Sequence, residues 1–235
     1  ATIHNLEQEK EKVGLAEREK LNFLRAASHE LKTPVTELNV TLENMILCIG
    51  EYNDYETYLP KCKEITEQLG IMIKDILNTS RLQMGVSNEK SEEFVLQEFI
   101  LEICEPYKLI AQTRDIQFHT FISGKTVVLA PVQLLKKAIS NILSNAVNYT
   151  SAGKNIFVKF HSDVLTVNNE CTPLSDEQLQ HIFEPFYRPD YSRNQNTGGN
   201  GFGLYIVEMI LRKLKLYYKF TPLDNNDGMS FTIQF

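Results

Sequence analysis

Apolar side chains recur at alternating steps of three and four residues between positions 21 and 49 of the chain. The seam positions are Leu21, Leu24, Ser28, Leu31, Val35, Leu38, Leu42, Met45 and Ile49. This spacing predicts a long helix with a heptad seam that requires a partner helix. Residues 1–20 carry mixed charges instead, which indicates a solvated helical lead-in along which the pairing weakens.

A second seam follows the polar break GEYND at residues 50–54, where Asn53 or Asp54 is a candidate helix cap. Its positions are Leu59, Cys62, Thr66, Leu69, Ile73, Ile76 and Ser80. Two antiparallel helices joined by a short turn form a hairpin, and a single hairpin leaves much of both seams uncovered. We therefore predict a homodimer in which two hairpins form a four-helix bundle.

Beyond the polar stretch MGVSNEK at residues 84–90, the pattern changes to short segments separated by turns. The predicted strands are 94–96, 117–121, 126–129, 156–160, 164–167, 217–221 and 230–235. The predicted helices are 101–111, 132–148, 176–183 and 203–215. Strands interleaved with helices, without a strict β-α-β repeat, predict an α+β sandwich.

Composition narrows the class of protein. The net charge of −6 argues against a nucleic-acid-binding surface, which needs a basic face. The four cysteines are scattered, which indicates reduced thiols rather than a disulfide framework or a zinc site. No apolar run reaches the roughly 18 residues of a membrane-spanning helix. Because the chain begins within helix-like sequence, we expect membrane attachment only through an upstream segment.

The stretch ASHELKTPV at residues 26–34 places His29 beside the apolar seam yet open to solvent. Neutral histidine is nucleophilic, and a carboxylate such as Glu30, bonded to one ring nitrogen, raises the basicity of the other. Thr33 shares the face of His29 and offers a hydroxyl that can orient water. Pro34 removes a backbone donor and is expected to kink the helix. The alternative is an ordinary surface histidine.

A polar stripe of Asn141, Asn145 and Asn148 runs along an otherwise apolar helix. Amide oxygens of this kind can hold Mg²⁺ together with phosphates and waters. Tyr149, at the end of the helix, can pack on a base. The alternative is a solvated polar face.

The sequence GGNGFGL at residues 198–204 leads into an apolar helix. Glycines let backbone amides approach a phosphate, and a helix N-terminus adds partial positive charge. The preceding polar residues 188–197 indicate a mobile lid. Because the glycines fit neither a P-loop nor a dinucleotide fingerprint, a floppy loop before a helix is the alternative.

Four stretches resemble, in order, the motifs of the cytoplasmic catalytic region of bacterial two-component sensor histidine kinases. FLRAASHELKTPV resembles the H box, LLKKAISNILSNAVNYT the N box, IFEPFYR the F box and GGNGFGL the second glycine box. The resemblance implies a signalling lead-in at residues 1–20 and a dimerisation and histidine phosphotransfer (DHp) domain at 21–86. It implies an ATP-binding domain of the GHKL, or Bergerat, fold at 87–235.

The resemblance also implies the roles of individual residues. His29 is expected to accept the γ-phosphate of ATP, Glu30 to activate it, and Thr33 to position the water that dephosphorylates a response regulator. Asn145 is expected to ligate Mg²⁺ with support from Asn141. The other implied cofactor-binding residues are Asn148, Tyr149 (stacking on adenine), Asn169, Arg188 (reaching the phosphates), Gly199, Gly201, Phe202, Gly203 and Leu204.

Two positions depart from the family pattern. The first glycine box, normally Asp-x-Gly-x-Gly, is NECTP here, so Asn169 replaces the aspartate that bonds adenine. A neutral amide is a weaker hydrogen-bond acceptor than a carboxylate, so the replacement is expected to lower the affinity for ATP. Asn148 stands where lysine or arginine is common. Lys136 and Lys137 lie at the far end of that helix and are poor substitutes for this positive charge. Arg193 is a candidate to supply it instead.

The leading interpretation is a sensor histidine kinase that phosphorylates itself with ATP, passes the phosphoryl group to an aspartate of a response-regulator receiver domain, and also dephosphorylates it. It implies the cytoplasmic part of a bacterial cell-membrane protein. One alternative is a phosphatase-biased dimer that binds ATP weakly and sequesters its regulator. The others are a GHKL ATPase such as a chaperone or topoisomerase fragment, and a purely structural coiled coil.

Overall fold

The computed structural model describes residues 2–83, 90–189 and 201–235. The chain divides into two units, Ala1–Ser80 and Arg81–Phe235. Within the described ranges, no helix has both the length and the apolar character needed to span a membrane.

The first unit consists of two long helices, α1 (Thr2–Ile46) and α2 (Tyr55–Gln83), connected through a 3₁₀ turn at Gly50–Asn53. Helix α1 continues without a break through Pro34. The hinge expected at that proline therefore stays a prediction.

Asp54 is the residue that caps α2. Its Oδ1 accepts a hydrogen bond from the backbone N–H of Thr57 at 3.3 Å. The hydrogen bonds from Thr57 hold the pKa of the Asp54 carboxyl below its usual value. The other candidate, Asn53, instead donates from Nδ2 to the Cys48 carbonyl oxygen at 3.3 Å.

Burial along the two long helices follows a stripe that only partly matches the predicted seams. Phe23, Ala27 and Met45 are buried on α1, whereas the predicted seam residues Leu21 and Leu24 are 54% and 46% exposed. On α2 the buried residues are Cys62, Met72 and Thr79, and the predicted seam members Leu59 and Ile73 remain exposed. One chain therefore leaves a second apolar stripe uncovered on its helices.

The second unit contains the remaining elements. Its strands are β1 (Ser91–Val95), β2 (Gln117–Ile122), β3 (Val127–Pro131), β4 (Asn155–His161), β5 (Val164–Asn169), β6 (Tyr217–Pro222) and β7 (Met229–Gln234). Its helices are α3 (Leu96–Thr113), α4 (Val132–Tyr149), α5 (Asp176–His181) and α6 (Gly203–Leu214).

Five strands form one sheet in the order β2-β4-β5-β7-β6, in which only β2 and β4 pair in parallel. Strands β1 and β3 form a separate antiparallel pair. Alternate residues of β4, β5 and β7 are buried, as expected when helices cover one face of a sheet. Helices α3, α4 and α6 supply the opposing apolar side chains. The predicted α+β sandwich is confirmed.

The sequence prediction is wrong at the start of α3. The pattern placed Leu96 at the end of a strand and began the helix at residue 101, whereas the helix begins at Leu96. No side chain caps this end of the helix, so the usual sequence signal is missing. Instead, the Gln97 Oε1 accepts a hydrogen bond from the Thr126 N–H at 2.8 Å, a contact between residues far apart in sequence.

Candidate functional site

The second unit contains a cavity of about 360 Å³ between the end of α4, the end of β5 and the start of α6. The predicted site residues that line it are Asn141, Asn145, Asn148, Tyr149, Asn169, Gly201, Gly203 and Leu204. They come from three stretches that are distant in sequence, and the fold brings them to one place. None of the described lining residues carries a formal charge.

Three of the predicted site residues are not placed on the cavity wall. The Phe202 side chain is 2% exposed and packs edge-on against the Phe186 ring, with centroids 4.2 Å apart. Its ring therefore belongs to the core, which leaves only its backbone for a ligand. Arg188 lies between the wall residues Tyr187 and Pro189 but does not itself line the cavity. Gly199, like Arg193 and most of the predicted lid, lies outside the described residues.

The asparagine stripe of α4 has the properties of a binding surface. The Asn141 Nδ2 is buried with no hydrogen-bond partner among the described residues. Buried amides normally have partners, so an unpaired one at a cavity wall indicates a ligand position. Asn145 is the next stripe residue along the same wall. Its amide oxygen is a ligand type that Mg²⁺ accepts alongside phosphates and waters. The unpaired Asn141 nitrogen is a donor, so it fits a phosphate oxygen or a metal-bound water rather than the ion itself.

Asn148 is held by a cation from another element. Its Oδ1 accepts a hydrogen bond from Arg114 Nη1 at 3.0 Å, and its Nδ2 donates to Ser144 Oγ at 3.4 Å. Arg114 therefore places a positive charge behind this part of the wall. Lys136, at the far end of α4, is paired with Glu102 at 3.1 Å.

The opposite end of the cavity is formed by Asn169 and its neighbours. Asn169 is 7% exposed, and its Nδ2 donates to Thr150 Oγ1 at 3.3 Å. Burial raises the pKa of the nearby Cys171 thiol, and a hydrogen bond from the Asn169 side chain acts in the opposite direction. Gly228 is required here, because a Cβ at that position would lie 2.2 Å from the Asn169 carbonyl oxygen.

Gly201 fixes the start of the α6 segment. Its φ is +66°, and an added Cβ would lie 2.6 Å from the Phe186 carbonyl carbon. The Phe186 N–H donates to the Gly201 carbonyl oxygen at 3.0 Å. The turn after α5 and the glycine segment are therefore joined directly, which positions the N-terminus of α6 at the cavity.

Sequence reasoning missed several wall residues. These are Ser144, Thr150, Ser151, Cys171, Thr172, Leu174, Ile182, Tyr187, Pro189, Phe220 and Met229. Ser144 and Thr150 were detectable, because they lie on or beside the asparagine stripe. Phe220 and Met229 belong to β6 and β7 and reach the cavity through sheet pairing, which leaves no local sequence signal.

The first unit carries the histidine cluster. His29 Nδ1 lies 3.2 Å from Glu30 Oε1, and the two side chains are 79% and 42% exposed. The predicted pairing of these neighbours is therefore present in the geometry, and Nε2 is the ring nitrogen left for chemistry. Thr33 lies one turn further along α1 and is exposed.

Comparison with known families matches both units. Residues 19–85 match the His Kinase A (phospho-acceptor) domain. Residues 131–235 match the family of histidine kinase-, DNA gyrase B- and HSP90-like ATPases. The chain belongs to the sensor histidine kinases. The match of a phospho-acceptor domain next to the ATP-binding domain agrees with the predicted kinase rather than with a chaperone or topoisomerase fragment.

Two curated sensor proteins are similar to nearly the whole length of this chain. It is 31% identical over 231 residues to the sensor histidine protein kinase HK06 of Streptococcus pneumoniae, covering 98% of the chain and 51% of the relative. It is 33% identical over 235 residues to the sensor protein VanSB of Enterococcus faecalis, covering 98% and 52%. The chain therefore spans about half the length of the curated relatives it matches.

A solved structure agrees with the fold of this chain. The histidine kinase ThkA, crystallised in complex with the response regulator protein TrrA, matches with a TM-score of 0.69 and 20% identity. The alignment covers 99% of this chain and 66% of that one. At this identity the match supports the fold of the chain.

Proposed function

We propose that this chain is the catalytic region of a sensor histidine kinase that binds ATP with Mg²⁺ in the cavity beside α4 and phosphorylates His29. The observation that carries the proposal is the unpartnered Asn141 amide on a wall shared with Asn145 and Asn169. That wall offers the amide oxygens of Asn145 and Asn169 to the metal and the base, and it offers the Asn141 N–H and the N-terminus of α6 to the phosphates.

Each part of the cavity has a role in this proposal. Asn145, supported by Asn141, holds Mg²⁺, which neutralises phosphate charge when bound. Tyr149 packs on the base and Asn169 accepts a hydrogen bond from it. The backbone amides at Gly201, Gly203 and Leu204 donate to the phosphates at the positive end of α6.

The chemical step on α1 uses the geometry of the His29–Glu30 pair. With Nδ1 bonded to Glu30, the Nε2 lone pair attacks the γ-phosphorus as the bond to the β–γ bridging oxygen breaks, and ADP leaves with that electron pair. Glu30 accepts the Nδ1 proton, which leaves the phosphorylated ring neutral. Phosphoryl transfer to a receiver-domain aspartate and Thr33-dependent dephosphorylation of that regulator follow on the same exposed face.

The partners follow from the uncovered surfaces. The exposed stripe that includes Leu21, Leu24 and Ile73 suits a second copy of the chain, which completes a four-helix bundle. A structural relative crystallised with its response regulator supports a receiver domain as the second partner. We place the chain on the cytoplasmic side of a bacterial cell membrane, as part of a longer sensor.

The test is incubation with γ-labelled ATP and Mg²⁺. The native chain is expected to gain acid-labile, alkali-stable label, and His29→Gln and Asn145→Ala are expected to gain none. His161→Gln, a change of another exposed histidine, is the matched control and should label normally. Label retained in His29→Gln would contradict the proposal.

The phosphatase-biased alternative predicts a different outcome. A folded, dimeric native chain would then gain no label and would bind ATP only weakly, because Asn169 is a neutral acceptor. Nucleotide affinity therefore discriminates the two functions.

A further inference from the structure

The Thr150 hydroxyl, at the end of α4, forms a short chain of hydrogen bonds. Its Oγ1 donates to the Ala146 carbonyl oxygen at 2.7 Å and accepts from Asn169 Nδ2 at 3.3 Å. A hydroxyl has only one proton to donate. Because that proton is committed to Ala146, Thr150 can act toward Asn169 only as an acceptor. The nitrogen of the Asn169 amide, and not its oxygen, therefore faces Thr150.

The surroundings leave this amide little freedom. Thr150 and Asn169 are each 7% exposed, and both line the cavity. The backbone of Asn169 is fixed by close contact with Gly228, where no Cβ could be accommodated. The Asn169 side chain also donates a hydrogen bond to the Cys171 thiol, so both contacts use the amide nitrogen and leave Oδ1 for the cavity.

This orientation matters because asparagine, unlike aspartate, can present either a donor or an acceptor. With Oδ1 toward the ligand, the wall accepts a hydrogen bond from an exocyclic amino group. In a base with a 6-oxo group, the oxygen at position 6 would face Oδ1. Both atoms are acceptors, so neither would be hydrogen-bonded, which is costly in a buried site. An amide free to rotate would donate from Nδ2 to the 6-oxo group.

We propose that Thr150 is the positioning residue that makes the cavity select 6-amino purine nucleotides over 6-oxo purine nucleotides, by holding the Asn169 amide with its oxygen toward the base. The inference rests on the proposed function, in which the base lies against Asn169. A carboxylate at position 169 would prefer a 6-amino group without help, because both of its oxygens are acceptors. The amide of Asn169 needs Thr150 to obtain the same preference.

The test compares the dissociation constants of ADP and inosine diphosphate, two nucleotides that differ at position 6 of the purine. Binding is measured by calorimetry on the full chain with Mg²⁺. The native chain and Thr150→Ser are expected to prefer ADP. In Thr150→Val, which keeps the shape but loses the hydroxyl acceptor, the preference should fall by about tenfold or more, because only the weak sulfur acceptor of Cys171 then opposes rotation of the amide. Circular dichroism and thermal unfolding verify that each variant is folded.

A second substitution separates orientation from packing. In the Thr150→Val background, Asn169→Asp should restore the preference for ADP, because a carboxylate has no N–H to offer. If Thr150→Val fails to fold, Thr150→Ala removes the same acceptor and carries the same expectation. An unchanged preference in folded Thr150→Val or Thr150→Ala overturns the inference while leaving nucleotide binding intact. Failure of the folded native chain to bind ADP would instead contradict the proposed function.

Discussion

The two units of the chain use apolar residues in opposite ways. On the helices of the first unit, Leu21, Leu59 and Ile73 remain about half exposed. In the second unit, Leu143 and Ile210 are 0% exposed, and the sheet and its helices close a core. The second unit therefore completes its core within one chain, whereas the first presents a surface that suits a second copy.

The two units also differ in how their functional residues are brought together. His29 lies exposed on a helix with one neighbouring carboxylate, and local sequence specifies the whole cluster. The cavity of the second unit gathers residues from α4, α6 and three strands, so only the fold brings them together. Substitutions should therefore affect folding in the second unit and association in the first.

The largest expected effect is in the core of the second unit. Leu143→Ala should lower the free energy of unfolding by about 2–5 kcal/mol, because it leaves a cavity among fully buried side chains. Leu21→Ala is the matched control at a position that is 54% exposed, and its loss should be much smaller. Urea unfolding of both variants measures the difference. Equal losses would contradict the contrast between the units.

A backbone substitution tests the glycine segment. Gly201→Ala should cost about 1–3 kcal/mol, because its φ of +66° is strained for alanine and the Cβ meets the Phe186 backbone. Gly203→Ala is the control, because nothing lies within 4 Å of its added Cβ. Thermal unfolding should separate the two variants. A Gly203→Ala variant as unstable as Gly201→Ala would show that the strain argument is wrong.

A charge on the exposed stripe should weaken association. Ile73→Glu is expected to raise the dimer dissociation constant by about tenfold or more, because a carboxylate is costly to bury in an apolar interface. Lys74→Glu changes the charge at the adjacent exposed position and should have less effect. Sedimentation velocity measures association, and ADP affinity serves as a check that the second unit is intact. Unchanged association in Ile73→Glu would place the dimer interface elsewhere.

The smallest expected effect concerns the cap of α2. Hydrogen bonds from Thr57 lower the pKa of Asp54 in the folded chain. A lowered folded-state pKa contributes stability that is present above the unfolded value and is lost as the pH falls through the folded one. The thermal midpoint of the native chain should therefore drop more than that of Asp54→Asn below about pH 4. Parallel pH profiles would contradict this role.

Periodic sequence was sufficient to predict most elements of the fold. Strands β4, β5 and β7 and helix α4 were predicted because their apolar residues alternate or recur with the helical period. The start of α3 was not, because a tertiary contact of Gln97 rather than a local cap accompanies it. Burial of Phe23 was missed because a heptad pattern does not say which flank a single chain covers.

The candidate site was predictable only in part for a similar reason. The asparagine stripe and the glycine segment are contiguous in sequence, so their residue types indicated a ligand. The Thr150 contact with Asn169 and the approach of Met229 depend on how β5 and β7 are registered against α4. A register of that kind is not encoded in any short stretch.

A calorimetric titration of Mg·ATP into the native chain, Asn141→Ala and His29→Gln tests directly whether the cavity beside α4 is the nucleotide site. The native chain and His29→Gln should bind with the same affinity, because the cavity belongs to the second unit. Asn141→Ala should bind at least about tenfold more weakly, because it removes a buried amide from the wall. Binding that is unchanged in Asn141→Ala, or absent from the folded native chain, would contradict the claim that this cavity is the nucleotide site.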